Sequence, residues 1–173
     1  MILFLVVCFG VTLIHPNFYL ERFLQVLASN YHEFIQLSSP GNLVHYDLQP
    51  TWWSVIYNSP LAISSGLFRP FIWEASNVLQ VIVSIENLFV LTLTLAALFR
   101  LPSLKSSSYR LLIFSSIVYI LILCLFLALS TPNFGTLARY KVGFQPFLIF
   151  ILLADSPVLR WLELKRQSFP LTK

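Results

Sequence analysis

Charge is the scarcest property of this sequence. Asp, Glu, Lys and Arg make up 10% of its 173 residues, against roughly a quarter in an average soluble domain. A soluble fold of this size would lack the polar surface to cover itself. Cysteine is also rare: Cys8 and Cys124 both lie in apolar runs, without the spacing of a disulfide framework or zinc site, and read as small packing residues. The three histidines, His15, His32 and His45, are dispersed and form no HExxH or paired helical pattern, so no metal or haem site and no cofactor is expected. No GxSxG, P-loop or dinucleotide fingerprint occurs, and Ser59, Ser64 and Ser65 have no adjacent base to make a nucleophile.

What the chain does have is hydrocarbon: 57% apolar residues, 16% aromatics and a mean hydropathy of +0.79. These residues are bunched into long uncharged runs, the pattern demanded where every backbone N–H and C=O must be satisfied inside a helix. The expected fold is an all-α, polytopic integral membrane protein with about four membrane-embedded helices and an interfacial or re-entrant segment. The net charge of +4 and pI near 9.3 do not point to nucleic acid, because the basic residues are scattered through short loops and form no stripe with interleaved aromatics.

Read along its length, the chain forms one membrane domain, 1–173. The first apolar run, Ile2–Ile14, ends at His15-Pro16. At about 1.5 Å per residue it reaches some 20 Å, short of a ~30 Å hydrocarbon core. No basic residue precedes it and no small-x-small cleavage site follows. It reads as a truncated span (1–14), with the chain the C-terminal portion of a longer multi-pass protein. Residues 15–75 read as an outer-face loop with interfacial helices. Asn17–Ser29 repeats Phe18, Phe23, Leu24 and Leu27 at helical spacing, and Ser38-Ser39-Pro40-Gly41-Asn42 breaks the chain. Thr51–Trp73 is apolar but interrupted by Pro60, Gly66 and Pro70, with Trp52, Trp53, Tyr57 and Trp73 toward its ends, as suits an interfacial or re-entrant segment.

Membrane helices are expected over 77–99, 111–129 and about 137–154, the last with Arg139 and Lys141 snorkelling toward the headgroups. If the 100–110 loop and the polar 155–173 tail share the cytoplasm, that side holds Arg100, Lys105, Arg110, Arg160, Lys165, Arg166 and Lys173. The other side keeps Arg22, Arg69, Arg139 and Lys141, which places residues 15–75 and 131–141 outside.

Polar residues inside the spans are where chemistry would sit. Glu86 lies in the middle of the 77–99 segment, where a carboxylate costs about 2.5 kcal/mol or more unless neutralised or paired. It reads either as an anchor for a substrate or ion, or as a carboxyl that locks one helix to another. On the same segment Asn77, Gln80, Ser84 and Asn87 recur at spacings of three and four, with Thr94 two turns on, a second polar face well over a quarter-turn from Glu86. Such a helix is expected to be surrounded by others, through interhelical hydrogen bonds or along a transport path. Two further clusters, Arg69-Pro70-Phe71-Ile72-Trp73-Glu74 and Asn133–Lys141, place arginines near one membrane surface. Guanidinium beside aromatics suits a phosphate headgroup or lipid-linked pyrophosphate, and Gly135 allows close backbone approach. The same residues also serve as plain bilayer anchors.

The phrases Ser59-Pro60-Leu61-Ala62, Leu67-Phe68-Arg69-Pro70-Phe71-Ile72-Trp73-Glu74-Ala75, Ile85-Glu86-Asn87-Leu88 and Asn133-Phe134-Gly135-Thr136-Leu137-Ala138-Arg139-Tyr140-Lys141 resemble a group of multi-pass bacterial membrane proteins associated with exopolysaccharide or O-antigen assembly. The resemblance covers roughly residues 55–154, and the group's members are longer chains with more spans. It implies an inner-membrane component of cell-surface polysaccharide assembly or export that handles a lipid-linked glycan, with Arg69, Glu74, Glu86, Arg139 and Lys141 as candidate substrate-binding residues. The arginines would hold a pyrophosphate or acidic sugar at the outer leaflet, with Glu86 orienting Arg69 or Arg139. The competing expectation is a non-catalytic accessory subunit of a larger membrane complex, favoured by the small size and the two polar faces of 77–99. Membrane lipid and other membrane subunits are the expected partners, and nucleic acid is not. A transporter repeat would show internal symmetry, and no repeat is visible.

Overall fold

The structure, a computed structural model, describes residues 10, 19–98 and 110–153. The 1–14 segment apart from Gly10, Cys8, the basic loop from 99 to 109 and the tail from 154 lie outside the described residues. Every regular element within them is helical: α1 (Leu20–Leu37), α2 (Trp52–Phe68), α3 (Val78–Leu98), α4 (Arg110–Ser130), α5 (Phe134–Tyr140) and α6 (Gln145–Leu153), with short 3-10 turns at Pro40–Asn42, Ile72–Glu74 and Lys141–Gly143. One isolated antiparallel bridge joins Leu43 to Asn133.

Helices α3 and α4 are long and apolar enough to cross a bilayer, and the chain is a membrane protein. The pair Phe134–Gly143 and Gln145–Leu153 is bent by 62° and makes a third span if it crosses as one unit. The expected count of about four included segment 1–14, which lies outside the described residues. The last segment is not the single helix expected over 137–154: the 3-10 turn Lys141–Gly143 interrupts the α-helical ladder, and Pro146, in the first turn of α6, has no N–H with which to continue it.

Local chemistry explains how polar groups live in these spans. Asn77 starts α3 by accepting from the Gln80 amide at 2.9 Å. The hydroxyls of Ser84, Thr92 and Thr94 donate to the carbonyls four residues earlier, at 2.7, 2.8 and 2.8 Å, and Ser115 does the same in α4. Each hydroxyl is thereby satisfied within its own helix. Large apolar side chains such as Ile82, Ile85, Phe89, Leu112 and Phe114 stay exposed on α3 and α4, as lipid contact requires.

Helix α2 is continuous across Pro60. The proline has no N–H for the Ile56 carbonyl, and the Ser59 hydroxyl donates to it instead at 2.8 Å. Thr51 caps the helix by accepting from the Ser54 amide. α2 packs against α4 through small side chains: Ala62, Cys124 and Ala128 are fully buried, and Gly66 faces Cys124. Close approach of small residues is the normal basis of helix association in lipid.

A second core lies at the end of the bundle where α4 finishes and α5 begins. α1 contributes Leu24, Leu27 and Tyr31, spaced on one helical face. The extended segment after it alternates, with Val44, Tyr46 and Leu48 inward and His45, Asp47 and Gln49 outward. The Tyr31 hydroxyl donates to the Tyr46 carbonyl at 2.5 Å and accepts from the Tyr46 amide at 2.7 Å. One side chain thus does for this segment what a neighbouring strand would do. The Val44 amide donates to the Pro132 carbonyl at 3.1 Å, and Asn133 both caps α5 and donates to Ser38 at 2.8 Å.

Candidate functional site

The C-terminal end of α2 lies beside Asn87, nine residues into α3 and therefore about 13 Å from where that helix starts. A helix ending there exposes carbonyls that have no intrahelical partner and carry the negative end of the helix dipole. Two side chains meet them. The Lys141 ammonium donates to the carbonyls of Leu67 (3.4 Å) and Arg69 (2.8 Å) and to Oδ1 of Asn87 (2.9 Å). Asn87 in turn donates its Nδ2 to the Pro70 carbonyl at 3.1 Å. Lys141 is 2% exposed and Asn87 likewise, so the lysine is not a snorkelling side chain but an internal tie between α2, α3 and the turn after α5. Three donors meet three acceptors, and nothing remains for a ligand.

Arg69 is engaged as well. Its guanidinium forms a bidentate ion pair with Glu74, with Nε at 2.9 Å from Oε1 and 3.1 Å from Oε2. It also lies over the Phe134 ring, 5.4 Å from the centroid. The Phe71 amide donates to the second Glu74 oxygen at 2.9 Å, which fixes the turn that carries the cis Arg69–Pro70 peptide back toward α3. Burial alone would raise the Glu74 carboxyl, but the Arg69 guanidinium and the Phe71 amide outweigh it and hold the group below the ordinary carboxylate range. Because its folded value is depressed, Glu74 contributes stability that is complete above the unfolded value of about 4.3 and lost as pH falls through the folded value. The protein in detergent is therefore expected to lose thermal stability on acidification below about pH 4, and Glu74→Gln to remove that acid-sensitive step; an unchanged acid profile in the variant would contradict the assignment.

Beside this knot the Tyr46 and Ser65 hydroxyls are buried together. Burial pushes the Tyr46 phenol up to about 12, with the Ser65 hydroxyl and the Arg69 guanidinium pulling the other way. Among the described residues neither hydroxyl makes a hydrogen bond of regular geometry.

Of the five candidate residues, Arg69, Glu74 and Lys141 are thus gathered into one internal network with Asn87, and Arg139 and Glu86 stand apart from it. Arg139 is exposed in the last turn of α5 and lines a cavity of about 340 Å³ with Pro70, Asn77, Gln80, Phe134 and Gly135, walled by Leu79, Val83 and Ala138. The first turns of α3 form its floor. Gln80 is oriented from outside the span, accepting from the Ser76 amide and donating to Asn42. The Ser76 hydroxyl donates to the same Asn42 oxygen at 2.9 Å.

Glu86 meets neither arginine. Its Oε1 accepts from Nε2 of Gln145 at 3.0 Å, and the side chain is exposed. The polar stripe Asn77, Gln80, Ser84 and Asn87 does turn inward, the last three being buried. The Glu86 face is turned away from that stripe, toward the open side of α6. A second cavity of about 560 Å³ opens there, between α3 and α6. The partnership with Gln145, 59 residues away, and the dual role of Asn87 had no local signature in the sequence. Tyr46 and Asn42 were not singled out either, although the alternation of residues 44–48 contained the signal for the first.

Among the described residues no group of three or more His, Cys, Asp or Glu side chains is gathered. No protein-family model matches the chain, and no curated protein or solved structure is detectably similar to it.

Proposed function

We propose that this membrane protein handles a phosphate-bearing, lipid-linked substrate, the class implied being the lipid-linked glycan of cell-surface polysaccharide assembly or export in a bacterial inner membrane. The observation that carries the reading is the cavity beside Arg139. A guanidinium with no ion-pair partner among the described residues lines the cavity with an amide-containing floor at the end of a membrane span, and an apolar wall runs down along α3. Arginine binds phosphate oxygens bidentately where a lysine would offer only a point charge, and the apolar wall suits the first carbons of a lipid chain. Arg69, Glu74 and Lys141 act behind the cavity: they hold the turn at Pro70, which forms one side of it. In this reading α2 is the interfacial or re-entrant segment, set beside the spans α3, α4 and the α5–α6 pair.

The test is retention of a polyprenyl diphosphate by the purified protein, followed by native mass spectrometry. Loss of a charge-assisted contact of about 1.5–3 kcal/mol corresponds to roughly ten-fold weaker binding or more, so Arg139→Gln is expected to weaken retention by at least that factor with folding unchanged. Equal retention by wild type and variant would sink the reading.

A second reading, a non-catalytic subunit of a larger membrane assembly, is favoured by the outward-facing Glu86 and Gln145 pair.

A further inference from the structure

We infer that the groove between α3 and α6 receives a membrane-spanning helix from another protein, and that this helix carries one basic side chain opposite Glu86. The inference deepens the second reading above and does not depend on the cavity at Arg139.

The groove is lined by Glu86, Gln145, Val142, Pro146, Ile149 and Phe150. Glu86 is eight residues into α3, about 12 Å from its start, and so lies near the middle of a 21-residue span. Among the described residues its carboxylate accepts a single hydrogen bond, from Gln145, out of roughly four lone-pair sites. At that depth lipid offers acyl chain, which satisfies no carboxylate, and amine headgroups lie a helix half-length away. A span with a charge at this position faces protein or water, and the rest of the lining is hydrocarbon.

Charge complementarity then selects the occupant. A second copy of this chain does not supply it. A two-fold contact through this groove brings two Glu86 carboxylates into one interface with no described cation lining it, and like charges in a poorly polarisable medium repel strongly. Among the described residues, no cation lines the groove: Arg139 lines the other cavity beside the start of α3, Arg22 is on α1, Arg69 is paired with Glu74, and Lys141 is buried with its three acceptors. A foreign helix with a single Lys, Arg or His at mid-depth pairs the carboxylate and covers the apolar walls in one step. Gln145, already donating to one carboxylate oxygen, fixes the rotamer of Glu86 so that the other is presented to the groove.

The test places a photo-crosslinking amino acid at Phe150 in the full chain, expressed in its own membrane. The expected product is a crosslink to a membrane-spanning segment of a different protein that has a basic residue within one helical turn of the linked position. Its yield is expected to fall at least five-fold in Glu86→Gln, with the elution profile of the protein unchanged. It is expected to return when Glu86→Lys is combined with an acidic replacement of the partner's basic residue. That charge exchange keeps the inference testable if the single variant alters folding. A linked segment with no basic residue, or a yield indifferent to Glu86, overturns the inference while leaving an accessory role standing. Crosslinks to a second copy, to another part of this chain, or only to lipid overturn both.

Discussion

Lys141→Met will cost the protein most of its folded yield. The substitution keeps the length and apolar stem of the side chain but removes the one donor that, among the described residues, serves the Leu67 and Arg69 carbonyls and Asn87 Oδ1. Leaving a buried acceptor unserved costs about 1–3 kcal/mol each, and breaking a buried charged network typically costs about 3–5 kcal/mol in total. Against a net stability of roughly 5–15 kcal/mol, that is a large fraction. The expected readout is a fall of about 10 °C or more in the detergent melting temperature, with much of the protein aggregated on size exclusion. Lys141→Arg is not expected to rescue it, because a planar fork cannot replace a compact ammonium between three acceptors. Asn87→Leu should also destabilise, and the double variant should lose less than the sum of the two, since the second change removes an acceptor that the first has already orphaned. A melting temperature within 2 °C of wild type for Lys141→Met, an order of magnitude set by ~0.5 kcal/mol, would show that the carbonyls find other donors.

The second large effect is expected at Gly66. A Cβ there would stand 2.5 Å from Cys124 Sγ, 3.2 Å from Ala128 Cβ and 3.3 Å from the Cys124 carbonyl oxygen. The thiol has little room to turn, being fully buried, and the carbonyl belongs to a helix backbone that moves only as a unit. Gly66→Ala therefore separates α2 from α4, at a cost of about 1–3 kcal/mol typical of an overpacked interior. Gly66→Leu should exceed it and leave α2 undocked. Cys124→Ala removes the nearest obstacle and should recover part of the loss in Gly66→Ala, although it does not relieve the contact with the backbone. A thermal melt of the two single variants and the double variant measures this coupling. Additive losses would mean that α2 and α4 are not held at the spacing described.

The two long spans were the most legible part of the fold. Expected over 77–99 and 111–129, they occupy Val78–Leu98 and Arg110–Ser130, because twenty uncharged residues admit little else in hydrocarbon. The inward turn of Gln80, Ser84 and Asn87 was equally plain, since a single helix fixes which residues share a face. Reading failed where a tertiary contact overrides a local signal. The helical spacing read over Asn17–Ser29 covers only part of α1: the apolar face continues through Tyr31 and Ile35, and the helix runs to Leu37, where the expected break at Ser38 begins. Pro60 looked like an interruption in α2, and one serine hydroxyl was enough to repair the ladder. In the candidate site, the neighbours Arg69 and Glu74 were close enough in sequence for their proximity to be visible. Lys141 was read as reaching for headgroups because nothing near it in sequence discloses the carbonyls waiting at Leu67 and Arg69.

The separation between Lys141 and those carbonyls, 74 and 72 residues, also sets an order of assembly. A ribosome delivers the end of α2, then the whole of α3 and α4, before it makes the lysine that completes them. Until residue 141 has entered the bilayer, the α2 end holds open carbonyls in an apolar setting. The nascent protein must therefore keep that end near water or shielded by the insertion machinery. Lys141 is in this sense the last piece fitted, and a chain stopped just before it should be recognised by membrane quality control as unfinished even with both long spans in place.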